Sequence, residues 1–276
     1  MVKKNLKMQR LISLLKGWKR VLIALSGGKD STFLLKTAKD ALGEDRVYAI
    51  TAISPIFTRD EIENAKAIAK ELNIRHILVE THQLDSPLFI SNTPKRCYYC
   101  KRQILERIKE IANDLGISKI LDGTNMDDIS DYRPGLKALE EFDVYSPLKV
   151  VGLTEKEIRS LSKEMGLNTW DRPSMACLAT RISYGEPITV DKLKMIAEAE
   201  EYLMEMGFRQ VRVRMHGKVA RIELEMGDIK RFIDNHCHNR TVIKFKELGF
   251  DRITLDLEGY RRPYEKKRQD NLKRCP

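Results

Sequence analysis

The stretch Ser26-Gly27-Gly28-Lys29-Asp30-Ser31 has the residue types and spacing of an anion site. Two glycines let the backbone come close to phosphate oxygens, and successive N–H groups at a helix start make a concave, positive nest. Ser26 and Ser31 add hydroxyl donors, Lys29 adds a cation, and Asp30 brings a carboxylate that can reach phosphate-bound Mg2+. Cys97 and Cys100 form a C-x-x-C, a spacing shared by zinc, redox and cluster sites. A further thiol, Cys177, lies in a loop between Arg172 and Arg181, where positive charge shifts a thiol toward thiolate. For Cys177 taken alone, an inert buried thiol weighs equally. Arg212, Arg214 and His216 alternate with Val211, Val213 and Met215 and so share one face of a strand. Such a face suits a phosphate. The competing reading pairs it with Glu223 or Glu225 on the next strand.

The glycine loop excludes two common motifs. A Walker A loop needs Gly-Lys followed by Ser or Thr, but Asp30 follows Lys29, and the upstream glycine is missing. The three spaced glycines of a dinucleotide fingerprint are missing too. The form Ser-Gly-Gly-x-Asp-Ser resembles the PP-loop of ATP pyrophosphatases, which cleave ATP between its α and β phosphates. The C-x-x-C lacks the second C-x-x-C or spaced histidine pair of a structural zinc site, His236-Cys237-His238 being the nearest candidate.

These groups need elements to position them. Val21 to Leu25 is an apolar strand leading into the loop, and the helical spacing of Phe33, Leu34, Leu35 and Ala38 follows it. Val47 to Ile53 and Ile74 to Val79 read as strands around a helix from Arg59 to Leu72. Gln83 to Pro94 reads as a loop, followed by a long helix to Leu115 and a short strand, Lys119 to Leu121. Thr154 to Met165 is a helix whose Thr154 and Glu157 form a capping box. Strands alternating with helices predict an α/β fold with a doubly wound parallel sheet, its ligand outside the carboxyl ends of the strands. Ser26 and Asp122 both open loops there. Asp171 to Glu186 is a polar connector. Beyond it the spacing predicts a helix from Val190 to Met206, a hairpin turning at His216-Gly217-Lys218, two helices and a last strand. The expected domains are therefore 1–185, carrying the sheet, and 186–276, a smaller α+β domain for substrate binding or oligomerisation with a basic tail.

Composition narrows the function. The chain has 276 residues, 42% hydrophobic and 33% charged, with no apolar run of membrane-spanning length. Its amino terminus is basic and amphipathic, a docking helix rather than a secretory signal, which places the protein in the cytoplasm. The net charge of +10 invites nucleic acid, but half of it sits in the tail from Tyr260 to Pro276, which argues against that partner. Five cysteines, an odd number, argue against a disulfide framework.

Taken in order, the PP-loop, Arg96 to Lys101, Asp122-Gly123-Thr124-Asn125 with Asp127 and Asp128, Asp131 to Gly135 and Pro173 to Arg181 resemble the LarE family. So do Arg212-Val213-Arg214, His216-Gly217 and Leu255 to Arg261. The family makes a nickel-pincer nucleotide cofactor. The resemblance implies adenylation of a carboxylate of pyridinium-3,5-biscarboxylic acid mononucleotide by ATP with Mg2+, then replacement of AMP by sulfur. It implies ATP contacts at Ser26, Gly27, Gly28, Lys29, Asp30, Ser31, Gly123 and Thr124, and catalytic roles for Cys177, Asp30 and Arg181. Arg212 and Arg214 take the substrate phosphate. Sulfur comes from a [4Fe-4S] cluster on Cys97, Cys100 and Cys177, supplied by sulfide or a sulfide donor, or from Cys177 itself, which becomes dehydroalanine. A zinc or empty site is the remaining alternative. Trimer-based homo-oligomers are implied as well. A tRNA-thiolating PP-loop enzyme and a non-catalytic nucleotide-binding regulator are the competing functions, and retention of Ser26, Asp30 and Ser31 weighs against the regulator.

Overall fold

Val21–Ala24 (β1) is apolar without alternation, which fits a strand covered on both faces. The computed structural model, which describes residues 5–130, 134–172, 176–234 and 237–260, places it inside a four-stranded parallel sheet. β1 pairs with Val47–Ile53 (β2) on one side and Ile120–Leu121 (β4) on the other; Arg75–Glu80 (β3) adds to β2. The order β3-β2-β1-β4 reverses direction between β1 and β4, so the loops leaving those two strands diverge around a crevice.

Each sheet face carries its own core. Val21, Ile23, Val47 and Ala49 point to one face, beneath Leu6–Lys16 (α1), Lys29–Leu42 (α2), Arg59–Glu71 (α3) and the later helix Glu155–Glu164 (α8). Leu22, Ile50 and Val79 point to the other, beneath Arg96–Asp114 (α5) and Gly135–Glu141 (α6). The sheet is doubly wound, as the alternation of strands and helices predicts. The capping box at Thr154 and Glu157 is present, and Thr58 and Glu61 form a second one at the start of α3. Two short helices, Pro87–Ile90 (α4) and Pro147–Val150 (α7), each open on a proline at the first turn, where its missing N–H costs nothing. The stretch read as a loop from Gln83 to Pro94 therefore contains helix, because Pro87 starts structure there rather than breaking it. Among the described residues no helix is long and apolar enough to cross a membrane.

The chain divides into two compact units, Met1–Cys177 and Leu178–Pro276. The first long helix of the second is Val190–Glu205 (α9), followed by the hairpin Val211–His216 (β5) to Val219–Leu224 (β6), turning at Gly217-Lys218 in a two-residue loop. Met226–Asp234 (α10) and Cys237–Glu247 (α11) lead to Arg252–Leu255 (β7), which pairs parallel to β6. The basic tail beyond Tyr260 lies outside the described residues, as does His236.

Residues 178–185, assigned by sequence to the first domain, are tied into the second unit. Ile182 bridges Met215, and Thr180 O accepts a hydrogen bond from Arg214 Nη1 at 2.9 Å. Arg181 is wholly buried and forks onto Glu200, with Nε to Oε1 at 2.8 Å and Nη2 to Oε2 at 3.0 Å. Glu200 Oε1 also accepts from Val213 N at 2.9 Å, so the pair anchors the middle of β5 to α9. Removing one member of such a pair strands the other charge in the core. Arg181→Ala is expected to cost about 3–5 kcal/mol of stability. Urea unfolding checks this, and a loss below about 1 kcal/mol would remove the anchoring role.

Candidate active site

Leu25 N donates to Ile50 O at 2.8 Å, closing β1 onto β2 immediately before the glycine loop. α2 then begins with Gly28 at its N-cap, and a glycine brings no capping oxygen. The start of α2 thus keeps donors for an external anion. Around it the hydroxyls are already organised. Ser26 Oγ lies 3.1 Å from Ser31 Oγ, Ser31 Oγ accepts from Ser26 N at 3.2 Å, and Gly28 N donates to Ser26 Oγ at 3.3 Å.

A second loop, leaving β4, closes the crevice. A Cβ on Gly123 would lie 2.8 Å from Ser31 N and 3.1 Å from the Asp30 carbonyl carbon, so only glycine allows this contact. Asp122 is buried; its Oδ1 accepts from Ser146 Oγ at 2.6 Å and its Oδ2 from Thr124 Oγ1 at 2.6 Å. Farther on, Asp128 Oδ2 accepts from Asn125 N at 3.0 Å, and Asp127 Oδ2 from Glu155 N at 2.7 Å, which locks the loop to the start of α8.

Charge converges on Lys29. Its Nζ is almost enclosed, 3.3 Å from Glu155 Oε1 and 3.2 Å from Asp30 Oδ1. Asp30 Oδ1 is buried, and Lys29 is the cation that faces it. Burial raises the Asp30 carboxyl above its ordinary value; Lys29 opposes the shift, while Asp128 and Glu155 add to it. A buried carboxylate beside Asp128 and Glu155 fits a hard divalent cation carried in on a nucleotide.

The cysteines lie beside this loop. Cys97 and Cys100 occupy the first turns of α5, and Cys177 ends the first unit; Cys97 is exposed, the other two half-buried, and none is in a disulfide. Burial pushes the Cys100 thiol up strongly, and Cys177 and Cys97 push it further, while Lys101 and Arg96 oppose them. The three thiols are therefore electrostatic neighbours. Among the described residues no three His, Cys, Asp or Glu side chains already form a metal site. Lys101 Nζ reaches to 3.7 Å from Asp122 Oδ2, so the loop packed on Ser31 also touches the cysteine helix. Tyr98, between the two cysteines, donates its hydroxyl to Glu141 on α6 at 2.9 Å.

In the second unit the strand face is more closed than alternation implies. Arg212 is buried, with its guanidinium over the Tyr260 ring at 5.3 Å and Nη1 donating to Val211 O. Burial, then the charge of Arg181, depresses its pKa. Arg214 forks onto Glu223 at 3.0 and 3.1 Å, the pairing offered as the competing reading, and His216 is exposed beside Ser183. Sequence reasoning passed over Glu155 and Asn64, and gave Lys101 no role beyond its place in the Arg96–Lys101 motif. The capping box locates Glu155 at a helix start, but no local signal places it against Lys29.

The fold and the loop define an ATP-using enzyme of the PP-loop class, and the NAD synthase family profile matches residues 8–108. An uncharacterised protein of Synechocystis is 43% identical over 87% of this chain and 90% of its own. The pyridinium-3,5-bisthiocarboxylic acid mononucleotide synthase of Lactiplantibacillus plantarum is 38% identical over 91% of this chain and 90% of its own. An uncharacterised protein of Methanocaldococcus jannaschii is 32% identical over 88% and 91%. The chain belongs to the family of pyridinium-3,5-bisthiocarboxylic acid mononucleotide synthases.

The raised Asp30 pKa gives a signed expectation. A carboxyl raised in the folded state holds its proton more tightly than in the unfolded chain, so its contribution is fully present below the ordinary value of 3.8 and is lost as pH rises through the folded value. At neutral pH the charged, desolvated form is therefore a burden on the fold. Asp30→Asn should unfold at higher urea than wild type at pH 7, and the gain should shrink as pH falls toward 3.8. A variant less stable at pH 7 would overturn this.

Proposed function

We propose that the protein is an ATP-dependent sulfur transferase acting on pyridinium-3,5-biscarboxylic acid mononucleotide. One observation carries the reading: the loop Asp122-Gly123-Thr124 is pressed on Ser31 at the phosphate site and also reaches, through Asp122 and Lys101, the helix of the cysteines. Nucleotide activation and sulfur delivery thus share one support.

Ser26, Gly27, Gly28, Lys29 and Ser31 hold the pyrophosphate of ATP, with Gly123 and Thr124 at its edge, and Asp30 binds the accompanying Mg2+. The substrate carboxylate attacks the α phosphorus and pyrophosphate leaves. Sulfur then replaces AMP: a C–S bond forms, the C–O bond to AMP breaks, and its electron pair departs on the AMP phosphate. Cys97, Cys100 and Cys177 would hold a [4Fe-4S] cluster, which would supply iron able to bind hydrosulfide. Two soft thiols, Cys97 and Cys177, close enough to push up the Cys100 thiol fit such a cationic centre better than they fit an empty pocket. Arg212 and Arg214 receive the substrate phosphate. Arg181, committed to Glu200, positions their strand rather than touching substrate. The odd cysteine number supports the cytoplasm as the working compartment. The partners are a small nucleotide and a sulfide donor, and the assembly is a trimer-based homo-oligomer.

The test is incubation with MgATP, the mononucleotide and sulfide without oxygen. Equal AMP and pyrophosphate with a thiocarboxylate product are expected. Reconstituted protein should hold about four irons and four sulfides per chain, and Cys100→Ala should abolish them. No AMP overturns the enzyme reading. AMP without iron, with a chain lighter by one hydrogen sulfide, moves the sulfur source to Cys177.

A further inference from the structure

Gly27 and Gly28 present a physical problem. Two consecutive glycines leave the peptide unit between them free to rotate, since neither residue carries a Cβ to oppose the turn. Yet an anion nest works only if its N–H groups point inward together. Something outside the loop must fix that plane.

The structure contains the tie. Asn64, on α3, donates from Nδ2 to Gly27 O at 2.6 Å. In a planar trans peptide the C=O of Gly27 and the N–H of Gly28 point in opposite directions. Holding the carbonyl toward α3 therefore turns the Gly28 N–H to the other side, where it meets Ser26 Oγ, inside the cluster of loop hydroxyls. The contact is close on all sides. Gly27 has φ +71°, and a Cβ there would lie 2.9 Å from Glu61 O and 3.1 Å from Ala65 N. α3 is itself fixed at its start by the Thr58–Glu61 capping box, so Asn64 is held on a rigid element.

We propose that Asn64 is a positioning residue for the nucleotide's pyrophosphate: it sets the orientation of the Gly27–Gly28 peptide and so aims the Gly28 N–H at the anion. This rests on the nucleotide-binding reading of the loop and adds the residue that makes the loop competent. Asn64→Asp keeps the shape, removes the donor and sets an anion against the carbonyl oxygen. Asn64→Ala removes the tie without the repulsion. Asn64→Gln keeps the amide.

The experiment measures affinities for MgATP, magnesium pyrophosphate and AMP by calorimetry, together with the unliganded melting temperature. Asn64→Asp should weaken ATP and pyrophosphate at least about tenfold and Asn64→Ala about threefold or more, with AMP changed less than about twofold. Asn64→Gln should recover part of the loss. A purely structural tether would lower the melting temperature and leave the ratio of ATP to AMP affinity unchanged; that result, or unchanged ATP affinity in both the Asp and Ala variants, overturns the inference. Wild-type protein that binds neither ATP nor pyrophosphate overturns the nucleotide reading and this inference with it.

Discussion

The contact on which the rest depends is backbone against backbone: the missing side chain of Gly123 lets the loop after β4 settle on the first turn of α2 at Ser31. The reversal of strand order brings these two loops to the same crevice, but a crevice is only an opportunity. Closure at peptide distance makes it a site. The hydrogen bonds that brace the second loop, from Asp122 to Ser146 and from Asp127 to the start of α8, then act on the phosphate loop as well.

Electrostatics follows the same geometry. The enclosed Lys29 ammonium faces two carboxylates from different elements, Asp30 on α2 and Glu155 on α8, so acid outnumbers base there. In the second unit the excess has the opposite sign. Arg181 and Arg214 lie near enough to help depress the pKa of Arg212, while Glu200 opposes that shift and Glu223 pairs with Arg214.

Much of the architecture was legible because the signals were local. The β1 run, the glycine loop and the Thr154 capping box each declare themselves within a few residues, and each lies where expected. The chemistry-bearing residues were legible by type. Their partners were not. Nothing near Glu155 marks it as a neighbour of Lys29, and Asn64 sits outside the apolar stripe of its helix with no local sign that it reaches Gly27. Alternation placed Arg212 and Arg214 on one face but could not show that Tyr260 covers the first and Glu223 occupies the second. Helix α6 escaped notice because a short segment earns its helicity from tertiary packing, here of Ala138 and Leu139.

The support beneath Cys97 and Cys100 has a consequence of its own. α5 is anchored by Leu105, Ile108 and Ala112 in the sheet's core, and Tyr98 fastens its first turns to α6. The scaffold carrying two of the thiols is therefore folded whether or not they carry cargo, unlike a small zinc module whose fold depends on its metal. Whatever the two thiols bind or lose, the helix that presents them keeps its place, so this part of the chain is a standing mount rather than a fold assembled around its load.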